Sequence, residues 1–257
     1  MPPPAVLHLV CEPDRDGAFH MQRDAALLET AATRGVAVLR LYSWKPPCLS
    51  LGFMQRADEL VDHDACRRAG VDVVRRPTGG RAVLHWEEIT YALAAPVGEP
   101  RFGRTLAETQ ACIGRCLAAG LERLGVVASL SRPALDPERR LLRAPCFASP
   151  GRAELMVVGR KLVGSAQRRT SRSFLQHGSL LVGPAHARVV EFLRPSASIP
   201  VAAARLRLER DTVTLGELLG TDPGFDALAA ALAAGFATTL DLELQASPEI
   251  TEPVCGV

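Results

Sequence analysis

The chain lacks any apolar run near the roughly 18 residues that a bilayer-crossing helix needs, so no membrane association is expected. It lacks a basic leader as well: it opens Met-Pro-Pro-Pro, which reads as neither a secretory signal nor a transit peptide. Charge of one sign is missing, with 30 Lys plus Arg against 28 Asp plus Glu for a net +2, and that balance argues against a dedicated nucleic-acid binder. Arginine nevertheless far outnumbers lysine. There is no CxxC pair. The cysteines, at 11, 48, 66, 112, 116, 146 and 255, are odd in number and read as reduced thiols in a cytoplasmic protein, with no metal site expected. Cys112 and Cys116 lie i,i+4 on a predicted helix and read as packing residues. GxGxxG and GxxxxGK[ST] are both missing, which removes the main support for nicotinamide and P-loop nucleotide chemistry. No internal repeat and no charged tail is present.

What is there is core-forming material. At 47% hydrophobic and 23% charged, 257 residues suffice for one large domain or a domain with a small appendage. Periodicity predicts a strand over Ala5–Val10, a helix over His20–Ala32, strands over Ala37–Trp44 and Cys48–Met54, and a helix over Ala57–Arg68 closed by Gly70. Strands follow over Val71–Val74 and Ile89–Ala95, then a long helix over Thr105–Leu124 closed by Gly125. Residues 132–145, rich in Pro and Arg, read as a loop. Glu154–Val158 and Leu162–Gln167 flank a turn placed at Gly159-Arg160, and Phe174–Val182 extends that meander. After Pro184 the pattern becomes helical, over Ala187–Leu193, Leu215–Leu219 and Phe225–Leu240. The expected organisation is a core over 1–184 and a small helical region over 185–257 packed on the same domain.

Three stretches carry chemical interest. In VVRRPTGGRAVLH, Thr78-Gly79-Gly80-Arg81 sits between strands, and glycines let backbone N–H groups approach a carboxylate, phosphate or thioester oxygen; an ordinary glycine turn is the bland reading. In GRKLVGSAQRR, Lys161 lies just past a turn, followed by the small residues Gly164, Ser165 and Ala166, which leave room for a ligand. A solvated turn lysine is the commoner outcome for such a residue. In APCFASP, Cys146 lies between prolines on a loop, and loop cysteines are less often core filler. If Cys146 and Lys161 met in space, the ammonium would favour the thiolate and make a nucleophile without a histidine. Spacing leaves that meeting open.

Together, RRPTGGRAVLH…ITYAL, the Cys146 segment, GRKLVGSAQRR and LQHGSLLV resemble, in order, the lipoate-protein ligase and octanoyltransferase superfamily, which shares its catalytic domain with the biotin protein ligases. The resemblance covers about His20 to Val182 and is nearest to the ligase-like octanoyl-[acyl-carrier-protein]:protein N-octanoyltransferases. The first helix departs from the family's Asn-Met-Ala-x-Asp-Glu pattern, since this chain has His20, Met21, Gln22, Arg23, Asp24 and Ala25. The resemblance implies an α+β fold with a mixed, largely antiparallel sheet flanked by helices. It implies that Cys146 forms an acyl-thioester assisted by Lys161. The substrate-binding set it implies is Arg76, Thr78, Gly79, Gly80, Arg81, Ala82, His85, Gly164, Ser165, Ala166, Gln167 and His177. Arg76 and Arg81 would position the pantetheine arm or a loop, or else brace the fold with a carboxylate; backbone N–H groups near Gly79 and Gly80, or near Ser165 and Ala166, would meet the oxyanion; Val83, Leu84 and the Gly164–Ala166 run would shape the acyl slot, and the histidines would trim protonation or hydrogen-bond across the site.

The implied reaction moves an octanoyl group from acyl carrier protein to a lysine of a lipoyl-accepting protein, either a glycine cleavage H protein or a dehydrogenase lipoyl domain. It needs no cofactor. ATP and Mg enter only under the alternative, a lipoate-protein ligase, and a donor that is itself a modified domain would make the enzyme an amidotransferase. A noncatalytic carrier-binding protein is the alternative from another class. The arginines at 139, 140 and 143, and at 168, 169 and 172, are expected to form a docking face for an acidic carrier.

Overall fold

Two strands of alternating faces set the centre of the molecule. In the computed structural model, which describes residues 5–131, 154–195, 200–247 and 250, β6 (Glu88–Pro96) is buried along all but its last residue and β10 (Ser173–Leu181) along its whole length. A strand buried on both faces must be covered by two layers. Here the cover is helical on each side. Helix α1 (Gly17–Arg34), capped by Asp16 at its start and by left-handed Gly35 at its end, lays Leu27 and Ala31 on Val38, Ala92, Ala94 and Leu175. On the opposite face α4 (Leu106–Glu122), opened by a Thr105/Glu108 capping box, and α7 (Phe225–Leu240) pack Ile113, Leu117, Leu232 and Phe236 against Leu39, Leu41, Leu93 and Phe174.

The main sheet runs β11 (Glu243–Ala246), β1 (Val6–Arg15), β2 (Ala37–Trp44), β6, β10, β9 (Arg160–Arg169), β8 (Leu155–Val157), β7 (Ser129–Leu130). β1 pairs parallel with both β11 and β2, and the other neighbours are antiparallel, so the sheet is mixed and largely antiparallel, as expected. A second sheet orders β4 (Asp72–Arg75), β3 (Cys48–Leu51) and β5 (Val83–His85). It has its own core, where Leu49, Leu51 and Leu84 meet α3 (His63–Ala69), the 3-10 segment Pro184–Glu191 and α5 (Val201–Asp211).

Several local expectations are corrected. The helix expected over Ala57–Arg68 is two, α2 (Ala57–Leu60) and α3: Val61 bridges to Leu193 and the Asp62 carboxylate accepts from Ala65 N at 2.9 Å, starting a new helix. The β8–β9 turn is Val158-Gly159, one residue earlier than expected, with φ 47° and 77°. Positive φ at both positions marks the type I′ turn that suits strand twist. Beyond Pro184, Ala187–Leu193 falls largely in a 3-10 segment, α6 (Leu215–Leu219) and α7 form as expected, and the region also contributes β11 to the main sheet. Among the described residues no helix is long and apolar enough to cross a membrane, and no group of His, Cys, Asp or Glu could hold a metal ion.

Candidate active site

Strand register builds one wall of the site. Tyr42, Thr90, Ser179 and Gly164 are aligned across β2, β6, β10 and β9, and Arg40, Ala92, His177 and Ala166 form the next row. These rows end in small residues, Gly164 and Ala166, and the space beside them opens into a cavity. Met21 of α1, Trp44, and Ser50, Arg76, Val83 and His85 from the second sheet and its loop complete the lining with Ser165, Gly178 and Ser179. The walls are therefore mostly apolar with a few polar points, the common composition of a small-molecule site.

One polar point is His177. Its Nδ1 lies 2.8 Å from Asp24 Oδ2 and its Nε2 lies 2.6 Å from Thr78 Oγ1. Asp24 is fully buried and also receives Arg40 Nη1 at 3.0 Å and Tyr42 OH at 3.1 Å. Burial works against its charge, but the hydrogen bond from His177 and the guanidinium of Arg40 hold its carboxyl below the usual range. Arg40 is spread over three partners, bonding Glu12 and giving Nη2–H to His20 Nδ1 at 2.6 Å. His20 in turn donates Nε2–H to the Ser43 carbonyl at 2.9 Å. Burial and then the Arg40 charge push His20 down to about 3, so it is neutral and accepts from the guanidinium.

A second polar point is His85, stacked under Trp44 at 4.0 Å and 14°. Burial lowers its pKa against the pull of Glu88, so the ring is neutral: Nδ1–H faces Glu88 Oε1 at 3.2 Å and Nε2 takes the Ser50 hydroxyl at 2.7 Å. Trp44 Nε1–H reaches Thr90 Oγ1 at 2.8 Å, and Thr90 donates to Glu88 at 2.5 Å.

The glycine loop is held from inside by Arg76. Its Nη1 donates to Ser50 O at 3.0 Å and Oγ at 3.1 Å, and its Nη2 to the carbonyls of Gly79 at 2.9 Å and Arg81 at 2.7 Å. The buried guanidinium thus braces backbone, through carbonyls, while one side faces the cavity. Gly80 has φ 101°, and a Cβ on the facing Gly52 would meet the Gly80 carbonyl at 2.0 Å, so both positions need glycine for backbone to lie against backbone. Phe53 N–H closes the contact on the Thr78 carbonyl at 2.9 Å.

Of the residues expected from sequence, Arg76, His85, Gly164, Ser165, Ala166 and His177 line one cavity. Thr78 joins through His177, and Gly79 and Arg81 through Arg76; Ala82 is buried at the start of β5. Gln167 lies beneath, its Nε2 at 3.3 Å from Gln176 Oε1, whose amide donates to Tyr91 OH at 2.9 Å; Tyr91 OH meets Ser165 Oγ at 2.6 Å. Val83 faces the cavity, whereas Leu84 packs in the core of the second sheet, because adjacent strand residues point to opposite faces. Lys161 is not the solvated turn lysine that its type favours. It is buried beside Thr212 and α5, with Nζ 2.5 Å from Glu154 Oε1, and lies outside the cavity lining. Cys146, and Arg139, Arg140 and Arg143, lie outside the described residues. Cys112 and Cys116 are buried in the main core, the packing role expected of them.

Asp24, Tyr42, Trp44, Ser50 and Glu88 were not singled out from sequence. One signal was present: an acid three residues after Met21 falls on the buried side of an amphipathic helix, where an unpaired charge would not survive.

Residues 16–237 match the family described as Lipoyl protein ligase A/B catalytic domain. The chain is 39% identical over 233 residues to Octanoyltransferase LipM of Kyrpidia tusciae, covering 89% of this chain and 85% of the relative. It is 34% identical over 238 residues to Octanoyltransferase LipM of Bacillus subtilis, covering 89% and 84%. Among solved structures, lipoate-protein ligase A bound with ATP superposes with a TM-score of 0.75 at 19% identity, covering 96% of this chain and 91% of that one. A bipartite lipoate protein ligase from Thermoplasma acidophilum gives 0.75 at 20%, covering 96% and 89%. A match across this much of the sequence, on the same fold, settles the affiliation: the chain belongs to the lipoyl protein ligase A/B catalytic-domain family.

Proposed function

We propose that this acyltransferase enzyme moves an octanoyl group from acyl carrier protein, through a thioester on Cys146, to a lysine of a lipoyl-accepting protein in the cytoplasm. The observation that carries the reading is its similarity, over 89% of its length, to proteins named octanoyltransferase. The cavity supports it: apolar walls from Met21, Trp44 and Val83 suit a short acyl chain, and the polar points at Ser50 and His177 suit its carbonyl end.

The chemistry is self-contained. A pantetheine thioester exchanges for an enzyme thioester, and attack by a lysine amine then gives the more stable amide, so no nucleoside triphosphate and no resident cofactor is consumed. The site must supply a thiolate, donors for the tetrahedral oxyanion and a slot for the chain. Cys146 is assigned the first role. Backbone N–H groups of Gly79 and Gly80, on a loop pinned by Arg76, are assigned the second. Lys161 is assigned to favour the thiolate, its charge kept in the interior by Glu154.

The test is intact mass after incubation with octanoyl-carrier protein and no acceptor. The native enzyme should gain one octanoyl group, removable by hydroxylamine, and Cys146→Ala should gain none. Activity of Cys146→Ala with lipoate and ATP would instead establish a ligase. Binding of the carrier with neither adduct nor turnover would establish a noncatalytic module.

A further inference from the structure

We propose that the Phe53-Met54 turn, framed by Arg75 and Arg168, is the seat of the acceptor, an acidic lipoyl-accepting domain whose lysine enters the cavity beside it. The inference rests on the acceptor half of the proposed reaction, which the ligase alternative shares, and adds the surface that receives the partner.

The pair is exposed where apolar side chains usually are not. Phe53 is 53% and Met54 84% exposed, and among the described residues they are the only exposed large apolar side chains that are neighbours in sequence. Single exposures need no account, whereas two side by side mark a contact surface. The turn that presents them is held on every side. Gln55 N–H closes on the Gly52 carbonyl at 2.9 Å, Gly52 N–H on Gln55 Oε1 at 3.0 Å, and Phe53 N–H on the Thr78 carbonyl at 2.9 Å. Arg75 adds Nη1–H bonds to the Phe53 carbonyl at 2.9 Å and to that of Gln55. The backbone that carries both side chains is thus fixed before any partner arrives, which lowers the entropy cost of binding.

The turn continues the cavity wall. Ala166 lines the cavity, and Arg168, two residues further along β9, shares its face at a step of about 7 Å. The Arg168 guanidinium lies 5.6 Å from the Phe53 ring centroid and donates to the Pro77 carbonyl at 3.3 Å. Exposed Gly79 and Gly80 follow Thr78, the residue whose carbonyl holds Phe53.

Reach selects the occupant. The acceptor amine sits on a four-carbon stem, so the domain that carries it must stand at the rim of the cavity. The donor delivers its acyl group on the longer pantetheine arm, and its body need not stand there. Charge agrees with an acidic partner. Arg75 and Arg168 are exposed, both bond to backbone carbonyls, and neither pairs with a carboxylate among the described residues. The acids that follow on α2, Asp58 and Glu59, are engaged by Arg56. An apolar centre with a cationic border fits a partner whose lysine turn has an acidic border. Donor and acceptor visit in turn in a two-step transfer, so a role of Arg168 toward the donor does not exclude this one.

Met54 carries its own probe. Mild peroxide should oxidise Met54 well ahead of the half-buried Met21 in the native enzyme, and saturating unmodified lipoyl domain of a dehydrogenase should slow that oxidation about tenfold or more, read by peptide mass. Phe53→Ser and Met54→Ser should each raise the lipoyl-domain concentration for half-maximal transfer about tenfold or more, with loading from octanoyl-carrier protein changed less than about threefold. Met54, the more exposed of the two, keeps the test valid if the Phe53 variant unfolds. Unslowed oxidation of Met54 at saturating lipoyl domain overturns the proposal, as does native affinity in Met54→Ser. Protection by acyl carrier protein and not by lipoyl domain would assign the turn to the donor, and protection that grows with enzyme concentration alone would assign it to a second copy. A Met54 that resists peroxide in dilute native enzyme would mean that this chain covers it, and each of these three results overturns the proposal as well. A native enzyme that takes no octanoyl group refutes the transfer reading by itself and leaves the protection result standing.

Discussion

The two faces of the main sheet share their strands and differ in what they bury. Toward α4 and α7 the central rows are Leu39, Leu41 and Leu93, with the neutral group Tyr91, Ser165 and Gln176 between them. Toward α1 the same strands bury Arg40, Tyr42 and His177 around Asp24. An apolar face is worth its transfer free energy; a buried ion network roughly balances desolvation against attraction and becomes costly only when broken. The α1 face is thus kept for geometry, and it is the face that carries the cavity.

Breaking the network should give the largest effect. Arg40→Met leaves the Asp24 carboxylate buried with only His177 and the Tyr42 phenol as partners, and should cost about 3–5 kcal/mol in urea unfolding, with activity lost. A cost below about 1 kcal/mol would mean the charge is not buried as described. On the opposite face Leu93→Ala should cost about 2–4 kcal/mol, yet leave the folded fraction active. Equal activity losses in these two variants would erase the distinction between the faces. Gly52→Ala forces a Cβ into the Gly80 carbonyl and should cost about 1–3 kcal/mol while lowering turnover at least about tenfold, because the loop it displaces is in the site.

Acid sharpens the comparison. His20 titrates near 3 when folded but near 6.5 when unfolded, so its contribution is fully present above pH 6.5 and is lost as the pH falls toward 3. Stability should drop on the order of 1–2 kcal/mol between pH 7 and pH 5 through this residue, and His20→Asn should flatten that slope. His186, pushed down to about 4 by burial, adds in the same direction, so the variant is the control. The smallest effect concerns docking. Arg168, exposed beside Phe53 with its Nη1 on the Pro77 carbonyl, should give a few-fold rise in KM for octanoyl-carrier protein as Arg168→Glu, and little change for octanoyl-CoA. Identical shifts for both donors, or identical salt sensitivity in the native enzyme, would remove the docking face.

Legibility followed element length and partner distance. β2 and α7 fall on the expected residues because each carries a full run of its own period. β5, β7 and β11 are two to four residues long, too short to show alternation, and α5 buries only Leu208, so no apolar stripe announces it. In the site, the glycine loop and the Gly164–Ala166 patch are local features that sequence displays directly. The Asp24 network is not local: His177 lies 153 residues away, and only the sheet register brings it under α1. Residue type at His20–Ala25 could show a departure from the family pattern, and the fold shows what fills it, since His20 is bonded by Arg40.

β11 has a consequence for solubility. Among the described residues the eight-stranded sheet ends in two edges, and an edge strand offers N–H and C=O groups to any other chain. Here one edge is the two-residue β7 and the other is the four-residue β11, whose Glu243 and Gln245 alternate with Leu244 and Ala246. β11 covers Val6 to Leu9, an apolar stretch of the ten-residue β1. Removal of Glu243–Ala246 would turn a short polar border into a long adhesive one, and the truncated chain should self-associate through β1 before it loses its fold.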